Sequence, residues 1–131
     1  MQPAEDFLRD YLRNRTKVTR EEWDIYEPHV RQFFAPNYTP WDRDKAIEGL
    51  ESEKIVSVHV TDSSTEIVTA SVSFGFTQRT RYWLSITDNS WQIKSMESAC
   101  HLCLGSGKEG SRACKSCKGK GWSLIGEIKP T

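Results

Sequence analysis

This chain lacks most of the features that announce a destination or a chemistry. No run approaches the roughly 18 consecutive apolar residues of a membrane-spanning helix. Met1 to Asp10 is acidic and amphipathic, without the apolar stretch of a secretion signal. The expectation is a soluble cytoplasmic protein with no membrane partner, in a compartment where thiols stay reduced. There is no Gly-rich phosphate loop and no convincing catalytic constellation. Net charge is also lacking, at zero over 131 residues. That length suits one small domain, or one domain with a short accessory module.

The charge is unevenly placed. Residues 1–98 hold 12 Lys/Arg against 16 Asp/Glu, and residues 99–131 hold 6 against 2. Hydrophobic periodicity divides the chain in the same place. Phe7, Leu8, Tyr11 and Leu12 fall at helical spacing, which predicts a helix from about Pro3 to Arg15. Thr19-Arg20-Glu21-Glu22 reads as a capping box. A second helix follows it, with Trp23, Tyr26, Val30, Phe33 and Phe34 inward and a kink or break at Pro28. A third, short helix is expected over 42–51, with Ala46, Ile47 and Leu50 inward.

The period then changes to two, the signature of half-buried strands. Val56, Val58 and Val60 share one face. So do Val68, Ala70, Val72, Phe74 and Phe76, then Tyr82, Leu84 and Ile86, then Trp91 and Ile93. Asp62-Ser63-Ser64 and Asp88-Asn89 supply turns. Helices followed by a four-stranded antiparallel meander predict an α+β fold, with the helices on one face of the sheet.

Residues 1–98 resemble the nuclear transport factor 2-like superfamily in element order. The ending Arg81-Tyr82-Trp83-Leu84-Ser85-Ile86, a tight turn, then Ser90-Trp91-Gln92-Ile93-Lys94-Ser95-Met96-Glu97 carries the likeness furthest. It implies a curved sheet and a cone-shaped domain. Such a cone would have an apolar pocket, for which Tyr38, Trp41, His59, Arg79, Arg81 and Trp83 are candidate lining residues. Dimers through the open sheet face are an expectation of the same likeness.

All four cysteines lie beyond that region. Residues 100–107 read Cys-His-Leu-Cys-Leu-Gly-Ser-Gly and residues 114–121 read Cys-Lys-Ser-Cys-Lys-Gly-Lys-Gly. Both are CxxCxGxG, at a fixed offset of 14. Two cysteines three apart reach one metal if the chain turns sharply, and the turn aims backbone N–H groups at the thiolates. The glycine two residues after the second cysteine permits a positive φ. Cys100, Cys103, Cys114 and Cys117 therefore suit one structural zinc ion. A redox pair would more often open a helix in a thioredoxin-like unit, and two disulfides would need an oxidising compartment.

The segment is similar to half of the cysteine-rich region of DnaJ-type co-chaperones, with two repeats in place of four and no His-Pro-Asp signature. The resemblance implies a zinc-bound hairpin that contacts other proteins. Residues 99–131 are read as this two-knuckle module with a C-terminal strand. Only Ser98 and Ala99 separate it from Glu97, so it is expected to sit directly on the last strand.

The functional expectation is a non-enzymatic, zinc-containing adaptor whose partner is another protein. Alternatives are a small-molecule-binding or isomerase/hydratase-like use of the cone pocket, and a toxin-immunity-type inhibitor. Lys108, Arg112, Lys115, Lys118 and Lys120 are candidate contacts to nucleic acid, although the segment lacks stacking residues apart from Trp122.

Overall fold

The computed structural model describes residues 2–15, 23–40, 53–73 and 75–130. The capping box, the third helix, Trp41 and the side chains of Trp23, Tyr26 and Phe74 lie outside the described residues.

Helix α1, Ala4–Arg15, begins where Pro3 offers its carbonyl to the N–H groups of Asp6 and Phe7, at 3.1 and 3.2 Å. Glu5 and Asp6 lie in its first turn and Arg13 and Arg15 in its last, each sign complementing the helix dipole. Its buried stripe is Ala4, Phe7, Leu8 and Tyr11. Helix α2, Trp23–Arg31, runs through Pro28 without a break and stops three residues later. Val30 and Phe34 are buried and Phe33 packs against the same core. No described helix is long and apolar enough to cross a membrane.

Among the described residues nine strands follow. They are β1 (Tyr38–Thr39), β2 (Lys54–Val60), β3 (Thr65–Ser73), β4 (Phe76–Thr87), β5 (Ser90–Ala99), β6 (Lys108–Glu109), β7 (Arg112–Ala113), β8 (Trp122–Ile125) and β9 (Glu127–Ile128). The main sheet has the order β2-β3-β4-β5-β8, with every pairing antiparallel. The expected four-strand meander is present, and β8 adds a fifth strand. Between β4 and β5, Asp88 and Asn89 take φ values of 52° and 62°. Two consecutive positive values match the twist of a two-residue hairpin loop.

The helices lie on one face of this sheet. Tyr11 of α1 meets Tyr82 of β4 with ring centroids 6.0 Å apart, and meets Phe34 edge-on at 5.2 Å. Leu8, Tyr38, Ile67, Leu84, Ile93 and Met96 complete the core. The C-terminus is stitched into the same body. β9 pairs with β1, Lys129 N–H donates to Asn37 O at 2.8 Å, and the Tyr38 hydroxyl donates to Ile125 O.

The two alternating sets of β3 divide between the faces of the sheet. On β3 the residues turned to the core are Thr65, Ile67 and Thr69; they stand opposite Leu84, Tyr82 and Thr80. The Val68–Val72 set shares the other face, where Val68 is buried and Val72 and Phe76 are exposed. Charge decides this. The alternation that would bury Val72 would also turn Glu66 inward, whereas Glu66 meets Arg81 on the outer face. On β2, Val58 and Val60 do stand opposite the core residues Ile67 and Thr65, yet both remain exposed.

Candidate metal centre and the sheet face that carries it

The chain leaves the sheet at Ala99 and returns at Trp122, and these two residues are direct partners in the β5–β8 ladder. One step further, Cys100 N–H donates to Gly121 O at 2.7 Å. The cysteine segment is thus an excursion between two neighbouring strands, entered and left through one ladder.

Within it, each repeat uses its residues alike. Leu104 and Lys118 follow the second cysteines and take φ values of 53° and 56°. Gly107 and Gly121, which close the repeats, send their N–H groups to Cys103 Sγ and Cys117 Sγ at 3.3 and 3.2 Å. The closing glycines are required by contact as well as by conformation. A Cβ on Gly107 would lie 2.5 Å from Gly119 O, and one on Gly121 2.5 Å from Gly105 O. Each knuckle therefore rests on the other's glycine backbone. Cys114 N–H donates to Gly107 O at 2.8 Å, repeating the Cys100–Gly121 bond at an offset of 14. The β6–β7 ladder, Lys108↔Ala113, stands where β5–β8 has Trp122↔Ala99. The module is thus two like halves, one embedded in the sheet and one ending in a free hairpin.

The four sulfurs lie within 4.8 Å of one another. Cys100 and Cys114 are 3.9 Å apart, and Cys103 and Cys117 3.7 Å. Tetrahedral sulfurs about 2.3 Å from a central ion stand roughly 3.8 Å apart. All four cysteines are free thiols at distances far beyond a disulfide bond. They are placed to hold one metal ion, and no further donor from His101 is needed. Backbone N–H groups of Cys103 and Leu102 push the Cys100 thiol down to about 6. At Cys103 burial acts upward, but the N–H groups of Gly107 and Gly105 outweigh it and lower the thiol. Donors aimed at sulfur favour the thiolate, the form that binds metal.

The sheet face under this module carries a charged and aromatic cluster. Arg81 grips Glu97 through Nη2 at 2.8 Å and Nε at 2.9 Å, and reaches Glu66 at 3.7 Å. Trp83 Nε1–H donates to the same Glu97 oxygen at 2.6 Å. The Arg81 guanidinium lies 4.5 Å from the Trp122 ring centroid and 5.2 Å from that of Trp83. Trp122 in turn fills the space that a side chain at Gly105 would need, its indole 2.6 Å from the Cβ position. Arg81, Trp122 and Gly105 therefore tie the sheet to the first knuckle.

Among the described residues, the expected pocket residues are spread over both faces of the sheet. Tyr38 is buried on the helix side, where its hydroxyl accepts from Met96 N–H at 3.1 Å. Arg81 and Trp83 are half-buried on the opposite face, and His59 and Arg79 are exposed. A cavity of about 360 Å³ lies at the β2–β3 turn, lined by Val60, Thr61, Asp62, Ser63, Ser64, Thr65, Ser85, Ile86 and Trp91, and so by none of the expected residues. Lys108, Arg112, Lys115, Lys118 and Lys120 are all exposed.

Two groups were missed. Glu53, 8 % exposed in its side chain, accepts from Thr69 Oγ1 at 2.5 Å and from the Tyr82 hydroxyl, with Arg15 at 3.7 Å. No local spacing points to it, because its partners come from α1, β3 and β4. Glu97 was also overlooked. The available signal was its place across the β4–β5 hairpin from Arg81, but a register shift between Trp83 and Leu84 hides that pairing.

No protein-family model, no curated protein and no solved structure matches this chain.

Proposed function

We propose that the four thiolates hold one structural zinc ion, and that the protein is a non-enzymatic adaptor which binds another protein through the surface the metal shapes. Zinc suits four sulfurs in a closed tetrahedron, because a d¹⁰ ion has no geometric demand of its own and no open position is left for catalysis. In this reading the helices and sheet form a nuclear transport factor 2-like domain, and the excursion is a DnaJ-type zinc hairpin working in a reducing compartment.

The observation that carries the adaptor reading is Leu102. It lies between the two cysteines of the first knuckle and is 67 % exposed, beside an exposed His101. A large apolar side chain held in water by a rigid, metal-bound turn is a suitable anchor for a partner's apolar pocket. Leu124, on the outer face two residues past Trp122, is also exposed.

Elemental analysis of reduced protein purified without chelator is expected to give one zinc per chain. A four-sulfur iron site would instead be coloured. Leu102→Asp is expected to keep the zinc and the folded spectrum while losing the proteins that the wild type captures from its host. Capture unchanged by Leu102→Asp would remove the knuckle as the contact surface.

A further inference from the structure

The two halves of the cysteine module differ at one matched place. Their contacts are otherwise reciprocal, with Gly107 resting on Gly119 O and Gly121 on Gly105 O. Gly105 and Gly119 are therefore equivalent positions, and both take a positive φ, 95° and 82°. Ala99 and Ala113, each just before the first cysteine of a repeat, are equivalent too. Over Gly105 the space is filled. The Trp122 indole lies 2.6 Å from the Cβ position there, and the Arg81 guanidinium lies 4.5 Å from the centroid of that ring. Over Gly119 the matching space is open. Lys108 stands opposite Ala113 as Trp122 stands opposite Ala99. No described atom of Lys108 comes within 4 Å of the Gly119 Cβ position. Beyond the adjoining residues, the neighbours of that position are Ala113 Cβ at 3.3 Å and Gly107 O at 3.8 Å. Gly119 is exposed, whereas Gly105 is half-buried.

We propose that the open slot over Gly119 takes an aromatic side chain from an acidic segment of a partner protein. The chain itself shows what fits, because the equivalent slot holds an indole beside a cation. A glycine floor lets a flat ring approach the backbone closely. Lys118 and Lys120 adjoin Gly119, Lys108 holds the position matching Trp122, and all three are exposed. Acidic residues on either side of the partner's aromatic therefore meet opposite charge. A lysine ammonium over the bound ring would repeat the Arg81–Trp122 contact. A nucleic-acid base is served less well, because stacking platforms for bases are themselves aromatic and the floor here is Gly119 and Ala113. The proposal rests on the adaptor reading and gives it a second contact, on the opposite knuckle from Leu102.

The test is an NMR titration of the metal-loaded, full-length protein with two capped peptides, Glu-Asp-Trp-Asp-Glu and Glu-Asp-Ala-Asp-Glu. The Trp peptide is expected to shift the amides of Lys108, Ala113 and Gly119 saturably. Its Ala counterpart is expected to bind at least about ten-fold more weakly. Lys108→Trp, which fills the slot from within as Trp122 fills the other, is expected to weaken the Trp peptide by a similar factor with metal content unchanged. The peptide pair on the wild type keeps the test decisive if Lys108→Trp does not fold. Leu102→Asp is expected to leave this titration unaltered, so the slot and the Leu102 contact are read separately. Absence of saturable shifts at millimolar peptide, equal binding of the two peptides, or a folded Lys108→Trp that binds like the wild type would overturn the proposal. So would a short oligothymidylate that shifts the same amides at lower concentration than the Trp peptide.

Discussion

At the scale of single residues, the glycines of the repeat differ in what they are for. Gly107 combines a φ of 74° with a carbonyl 2.5 Å from its Cβ position, whereas Gly110 has a φ of 64° with nothing near it. Gly110→Ala incurs only the left-handed strain, about 1 kcal/mol. Gly107→Ala must also separate the two knuckles and is expected to cost about 2–3 kcal/mol. Chemical unfolding midpoints of the metal-loaded variants measure the difference. Equal midpoints would mean that the contact between knuckles carries no energy. The motif made these glycines conspicuous and supplied a conformational reason for them. It did not reveal that each closing glycine is pressed against the other repeat.

At the scale of elements, the metal site and the sheet are mechanically linked. Trp122 opens β8 and is clasped between Arg81 and Gly105. Removing the metal frees the excursion, so closing β8 onto β5 then costs the entropy of a loose loop. Hydrogen exchange after chelation is expected to rise in 122–128 well before it rises in β3 and β4, with a change in Trp emission as Trp122 leaves Arg81. Uniform loss of protection across the sheet would show that the link is global. For the described residues, the order of α1, α2 and β2 to β5 was legible from periodicity, as was the hairpin turn at Asp88-Asn89. The faces of β3 were not. Both of its alternating sets contain β-branched residues, and the choice rests on where Glu66 finds Arg81. The Arg81–Glu97 pair was hidden for a related reason. Counting back from the turn sets Arg81 opposite Met96, and only the register shift at Trp83 brings Glu97 across from it. A bulge leaves little trace in the residues that form it. The four cysteines placed to hold a metal ion were legible because their signal is local, whereas the Glu53 cluster is assembled by tertiary contacts.

At the scale of the whole molecule, the core holds its tyrosines in their neutral form. Burial pushes the Tyr38 hydroxyl up to about 12, and raises Tyr11 and Tyr82 well above their ordinary value. In the unfolded chain these groups lose their protons near pH 10. Above that value the unfolded state binds fewer protons than the folded one, so stability is intact below about pH 10 and falls as pH rises through the folded-state values. Unfolding midpoints are expected to drop steeply between pH 10 and 12, and tyrosinate absorbance to appear together with loss of structure. Ionisation of these three tyrosines near pH 10 in a still-folded chain would show that the core is open to solvent. The way the excursion meets the sheet has a wider consequence. Because Ala99 and Trp122 are ladder partners, the strands experience the intervening residues as they would a tight turn. The hairpin tip is thus a tolerant site for insertion, where a second function can be spliced in and diversified while the host sheet keeps its register.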